Sequence, residues 1–274
     1  MKQAYKPNIS RLFIAFSLLL LGTLTSFAQV SSTYTFTSSS GTYTPITGGT
    51  VLSTASDDDV SYPVQNIGFT FNYNGQSFTT VGVQSNGHIT LGGAAINSYG
   101  ALSASPNTIA GLNGDLQGKG MGTSDVRIQT LGSAPNRVCV IQWRDWTRWQ
   151  AVNFPNDTFN FQIRLNETGA VQIVYGAIAY GSTGVGGFTT NVGINGSLVT
   201  DFNARTGTSF AASTAATANT QGITGSTTNI PVSGLTYTWQ QAPMTFDSAS
   251  TFQIASGVPS GSTNQAIINV KVYT

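Results

Sequence analysis

The chain has 274 residues, only 8% of them charged, and it contains one histidine and one cysteine. Ordinary globular domains carry about 25% charge, so Ser, Thr, Asn, Gln and Gly do the solvating here. The near balance of 11 basic and 10 acidic residues excludes a binder of nucleic acid or anionic membrane that works by bulk charge, and a lone Cys139 excludes an intramolecular disulfide.

Residues 1–28 read as a signal peptide. Lys2, Lys6 and Arg11 precede an apolar run from Leu12 to Leu24, and Ser26-Phe27-Ala28 gives a small-x-small cleavage pattern. The run falls short of the roughly 20 residues a span needs, so no membrane span is expected after cleavage. Losing the leader leaves 8 basic residues against 10 acidic ones, a net of −2.

Residues 29–242 predict one all-β domain, an antiparallel sandwich of Greek-key or jelly-roll type. Tyr34 and Phe36 suggest a first strand, followed by Asp57-Asp58-Asp59, the densest charge in the chain. Phe69, Phe71 and Tyr73, then Val81 and Val83, then Ile89 and Leu91 alternate with polar residues, and Asn74-Gly75 and Asn86-Gly87 separate them. Period-two spacing with Asn-Gly turns predicts a three-stranded meander, with His88 at a hairpin tip or strand start, free of the core. Gly92–Ser124 reads as a long crossover loop with one short strand near Thr108–Leu112. Arg137–Trp143 is apolar on both faces and is expected to be a central strand that buries Cys139. Phe159, Phe161, Ile163 and Leu165 point one way and Asn160, Gln162 and Arg164 the other. Asn166-Glu167-Thr168-Gly169 then turns the chain into Val171, Ile173 and Tyr175. Ala211–Ser233 reads as a loop, and Leu235, Tyr237 and Trp239 as a closing strand. Residues 243–274 form a linker and a lone β-forming run, Ala266–Val272, which either opens a second domain or pairs with a neighbouring molecule.

The runs IGFTFNYNG, FTTVGVQSNGHITLG, IAGLNGDL, APNRVCVIQW and FNFQIRLNETGAVQIVYG, in that order, resemble a β-sandwich module found near the N-terminus of bacterial type IX secretion cargo. They are similar, more distantly, to nidogen-type extracellular domains. Gly111-Leu112-Asn113-Gly114-Asp115 lacks the Pro-x-Trp that usually precedes the Asp in that family. The C-terminal STFQIASGVPSGSTNQAIINVKVYT resembles the start of a BNR-repeat-associated module. The resemblance implies a secreted or cell-surface protein, and Asp247-Ser248-Ala249 resembles an O-glycosylation site of the same bacterial group, at Ser248.

One His and one Glu leave little for acid–base chemistry, and no G-x-S-x-G, H-E-x-x-H or Cys–His spacing is present. Asp115 with Asp145 or Asp125 could form a glycosidase-like carboxylate pair, but the scarcity of catalytic residue types argues for a non-enzyme. Asp57, Asp58 and Asp59, supplemented by Asp115 and Asp125, offer oxygens for calcium; the competing reading is a solvated turn. Trp146 and Trp149, with Arg144, Asp145 and Arg148, suit stacking on sugars and hydrogen bonding to hydroxyls; the competing reading is a cap on the open end of the sandwich. No other cofactor is expected. The function expected is adhesion or extracellular recognition of a glycan or surface protein, with a self-assembling structural subunit or an accessory domain of a secreted hydrolase as alternatives.

Overall fold

The computed structural model describes residues 29–242, apart from 101, 103–104, 121–122, 151–152, 182–187 and 199. The signal peptide, Ser248 and the run Ala266–Val272 lie outside the described residues. A single helical turn, α1 (Val30–Thr33), precedes the first strand. Two eight-stranded sheets pack face to face, with every strand pair antiparallel.

The first sheet runs, in spatial order, β1 (Tyr34–Ser40), β16 (Leu235–Gln241), β11 (Val171–Ala179), β10 (Thr158–Asn166), β9 (Val138–Arg148), β8 (Asp125–Leu131) and β2 (Thr50–Val51), with β7 (Leu116–Gly118) also on β9. The second runs β14 (Thr214–Ala215), β13 (Phe202–Thr206), β12 (Phe188–Asn195), β6 (Thr108–Asn113), β5 (His88–Leu91), β4 (Gln76–Gln84) and β3 (Gln65–Tyr73), with β15 (Ile223–Gly225) on β12. The expected meander is β3–β4–β5. Asn74 and Gly75 both take positive φ (51° and 73°), as a two-residue turn twisted to suit its strands requires. The next turn is different. Gln84 pairs with His88 across three residues, and Gly87 alone takes positive φ, at 82°.

Aromatic side chains fill the space between the sheets, and their polar handles tie one sheet to the other. The Trp143 indole of β9 lies parallel to Phe161, centroids 4.8 Å apart, and its Nε1–H points at the carbonyls of Gln84 and Ser85 at 3.2 and 3.1 Å. The Tyr175 hydroxyl donates to the Gly111 carbonyl at 3.0 Å, and the Trp239 indole donates to Asn203 Oδ1 at 3.0 Å. The sheets also approach closely over Phe161: a Cβ on Gly111 would stand 3.0 Å from its ring. Cys139 is fully buried, and that burial pushes its thiol up to about 12.

Three expectations change. Ala211–Ser233 is not wholly loop, since it supplies β14 and β15 to the edge of the second sheet. Gln142 and Gln162 lie on the outward side of the first sheet yet are fully buried, because the segment 42–48 covers that face. His88 is not at a free tip. It is 3% exposed, with Nε2 3.2 Å from the Ile96 carbonyl and Asn113 beside it.

Burial lowers the His88 pKa from 6.5 to about 4, against the pull of Ile96 and Asn113. The native state therefore refuses a proton that the unfolded state accepts below pH 6.5. Stability should fall between pH 6.5 and about 4, by on the order of 3 kcal/mol in total, and this slope should end below pH 4. Urea midpoints measured across that range for the wild type and His88→Gln should differ in slope. Parallel curves would contradict a histidine buried in its neutral form.

Candidate functional site

The turn after β4 builds the site. Asn86, fully buried, donates through Nδ2 to Asp59 Oδ1 at 2.8 Å and accepts the Leu116 amide on Oδ1 at 2.7 Å. One side chain thus holds Asp59 in place and fixes the residue that follows Asp115. Ser85 and Val60 reinforce the clasp: each donates its backbone N–H to the other residue, Ser85 to the Val60 carbonyl and Val60 to Ser85 Oγ, both at 2.9 Å. Asp58 bridges to Gln117, and the Gly118 amide donates to the Asp57 carbonyl at 3.0 Å. At the end of β9, the Trp149 amide donates to the Asp115 carbonyl at 2.8 Å.

The result is a cluster of Asp58, Asp59 and Asp115, with one carboxylate oxygen of each within 4.8 Å of the others. Two half-exposed aromatics flank it. The Trp149 indole hydrogen-bonds Asp58, and the Tyr99 hydroxyl hydrogen-bonds Asp115. Partial burial raises the Asp58 pKa, and the charges of Asp59 and Asp115 raise it further. Burial also raises that of Asp115; Tyr99 opposes the shift and Asp59 adds to it. The Tyr99 phenol is raised in turn, chiefly by the negative charge of Asp115. Asp58 Oδ1 is buried with no hydrogen-bond partner among the described residues. Like charges gathered this closely favour protonation or a cation, and oxygen-only ligands suit calcium or magnesium.

Of the sequence-predicted metal ligands, Asp58, Asp59 and Asp115 come together. Asp57 does not, because its carboxylate turns back to Thr54, accepting from the amide at 3.0 Å and from the hydroxyl. Asp125 is taken by Arg127 and Arg144, which both bond its Oδ2. It therefore pairs with Asp115 neither as a metal ligand nor as a second catalytic carboxylate. Tyr99 escaped notice, since it stands in a Gly- and Ser-rich stretch with no alternation around it.

The tryptophan segment is rearranged by a β-bulge. Trp143 faces Phe161 and Trp146 faces Phe159, so β9 carries one residue more than β10 between those pairs. Asp145 is the residue in the left-handed conformation, at φ 54°, which Asp tolerates better than most. Its amide donates to Asn160 Oδ1 at 3.1 Å. The extra residue flips Trp146 inward, where it is fully buried and donates to the Asp125 carbonyl at 3.1 Å. Arg148 also turns inward, into a two-point ion pair with fully buried Asp157 at 2.5 and 3.2 Å. Arg144 is spent on Asp125 and the Thr123 carbonyl. Among the expected sugar-contacting residues, Trp146 and Arg148 are therefore structural, and Trp149, 46% exposed, is the one that reaches the surface beside the carboxylates.

Trp146→Ala should destabilise the domain by about 3–5 kcal/mol, as emptying a buried indole site does, whereas Trp149→Ala should cost under about 0.5 kcal/mol, as exposed substitutions do. Denaturant unfolding of the two variants checks the contrast, and equal losses would refute the bulge-driven separation of the two rings.

Residues 33–241, ending on the last residue of β16, match the model of the NIDO-related family. No curated protein and no solved structure matches the chain. No helix among the described residues is long and apolar enough to cross a membrane. The matched family is one of extracellular β-sandwich domains and is not a known enzyme class. On a match that covers well over half of its length, the chain belongs to the NIDO-related family.

Proposed function

We propose that this chain is an exported, non-catalytic recognition module that binds calcium at Asp58, Asp59 and Asp115 and grips a glycan through that ion and the rings of Trp149 and Tyr99. The observation that carries the reading is the convergence of three carboxylates and two half-exposed aromatics on one rim of the sandwich. A calcium ion takes 6–8 oxygens. Three carboxylates leave coordination positions for paired sugar hydroxyls, and aromatic faces accept sugar C–H groups. Export by the type IX route and adhesion at a bacterial surface belong to the same reading, and the order of strand motifs supports them. A Kd for calcium on the order of 0.1–1 mM, the range of extracellular modules, is expected.

Calorimetric titration of the mature chain with calcium chloride should give saturable heat, which Asp58→Asn with Asp115→Asn removes. Array signals from neutral glycans should vanish with EDTA and with Trp149→Ala. Absence of heat at millimolar calcium would overturn the metal, and neutral-glycan binding that survives both treatments would overturn the site.

A second reading, assembly by strand addition, rests on one observation. Among the described residues β1 ends the first sheet with a single neighbour, β16, leaving seven residues of its edge unpaired by them, and the β-forming run Ala266–Val272 has the same length. Size-exclusion chromatography should then show assemblies for the mature chain that a chain ending at Gln241 lacks. Identical elution of the two would eliminate this reading.

A further inference from the structure

The outward face of β8, β9 and β10 is not bare. The segment 42–48 crosses it, clamped by a ladder of amides. Gln142 Oε1 accepts from the Ile46 amide at 2.9 Å and from Gln162 Nε2 at 2.8 Å, and Gln162 Nε2 also reaches the Thr44 carbonyl at 2.9 Å. Arg127 Nη1 holds the Thr47 carbonyl at 2.6 Å. Between this strap and the strands lies a groove of about 710 Å³, within the size range of small-ligand sites.

The groove has an aliphatic floor that includes Val138 and Val140, and polar walls. The side-chain amides of Gln129 and Asn136 line it with no hydrogen-bond partner among the described residues. Among the described residues its one charged lining residue is Arg164. Nε of Arg164 donates to Gln162 Oε1 at 2.8 Å, and Nη2 reaches only the Thr42 carbonyl, at 3.5 Å. Arg127, Arg137, Arg144 and Arg148 each pair with a carboxylate; Arg164 has none among the described residues. Burial lowers its pKa, with the Tyr43 phenol opposing, and no lining side chain is acidic. A guanidinium is nevertheless always charged in a protein, so this one lacks a counter-ion.

We propose that this groove binds an acidic saccharide, with Arg164 taking the carboxylate of a uronic acid unit and Gln129 and Asn136 meeting its hydroxyls. Arg can form two parallel hydrogen bonds to a carboxylate through its two terminal nitrogens, and in Arg164 these carry only the 3.5 Å contact of Nη2 while Nε holds Gln162. Free amides and threonine hydroxyls match a ring of hydroxyls, and the valine floor accepts the C–H face of the sugar. The assignment does not rest on the calcium-dependent reading of the acidic rim: the two sites share no residue, and this one needs no metal.

Calorimetric titration of the mature chain with trigalacturonate in EDTA tests it, with neutral galactotriose and a free-carboxylate tripeptide as comparisons. Saturable binding of trigalacturonate is expected, weakened by added salt and weakened at least about tenfold by Arg164→Gln, which removes a charge-assisted contact. Gln129→Leu removes an amide the protein itself does not use, so it should fold normally and still bind more weakly; it carries the test if the Arg164 variant fails to fold. The proposal is overturned by an absence of saturable binding, by equal binding of the neutral sugar, by tighter binding of the tripeptide, or by unchanged affinity in the folded variants.

Discussion

The indole N–H of Trp143, aimed from β9 at the carbonyls of Gln84 and Ser85, is the joint on which the rest of this structure depends. A buried indole donor must find an acceptor, and here it finds two on the opposite sheet, at the start of the turn that leads into β5. The same indole stacks on Phe161, whose ring would crowd a Cβ at Gly111. In a chain with no disulfide, such hydrogen bonds across an aromatic core fix how the sheets meet. The next residue in that turn, Asn86, is also fully buried and organises Asp59 and the Asp115–Leu116 link. The centre of the core and the frame of the acidic rim are thus three residues of one turn.

Much of the fold was legible from the residues. The alternation of Phe159, Phe161, Ile163 and Leu165 and the Asn74-Gly75 turn need only local rules, period-two burial and positive φ. β13 was not legible, because Phe202-Asn-Ala-Arg-Thr206 carries no alternating oily face and is half-covered on both sides. Nor was the burial of Gln142 and Gln162, since the strap that covers them comes from about a hundred residues earlier in the chain.

The site was legible in its parts and not in its assembly. Asp58, Asp59 and Asp115 were recognisable as oxygen ligands and Trp149 as a surface ring, yet nothing in the sequence said that they share one rim. That depends on Asn86, which reads as a turn residue. Trp146 was expected beyond the strand, as a cap or a ligand contact, but β9 runs on to Arg148 and a single extra residue at Asp145 turns the ring inward. A bulge leaves no periodic trace, because it is the interruption of a period.

The arrangement of the tryptophans has an optical consequence. Of the four in the chain, Trp143, Trp146 and Trp239 are fully buried and Trp149 is about half-exposed. An aqueous quencher such as iodide reaches Trp149 alone, while the other three report the core. The molecule therefore carries one natural fluorophore on the acidic rim and three on its fold. Occupancy of the rim and integrity of the sandwich can be read separately from the same unlabelled sample.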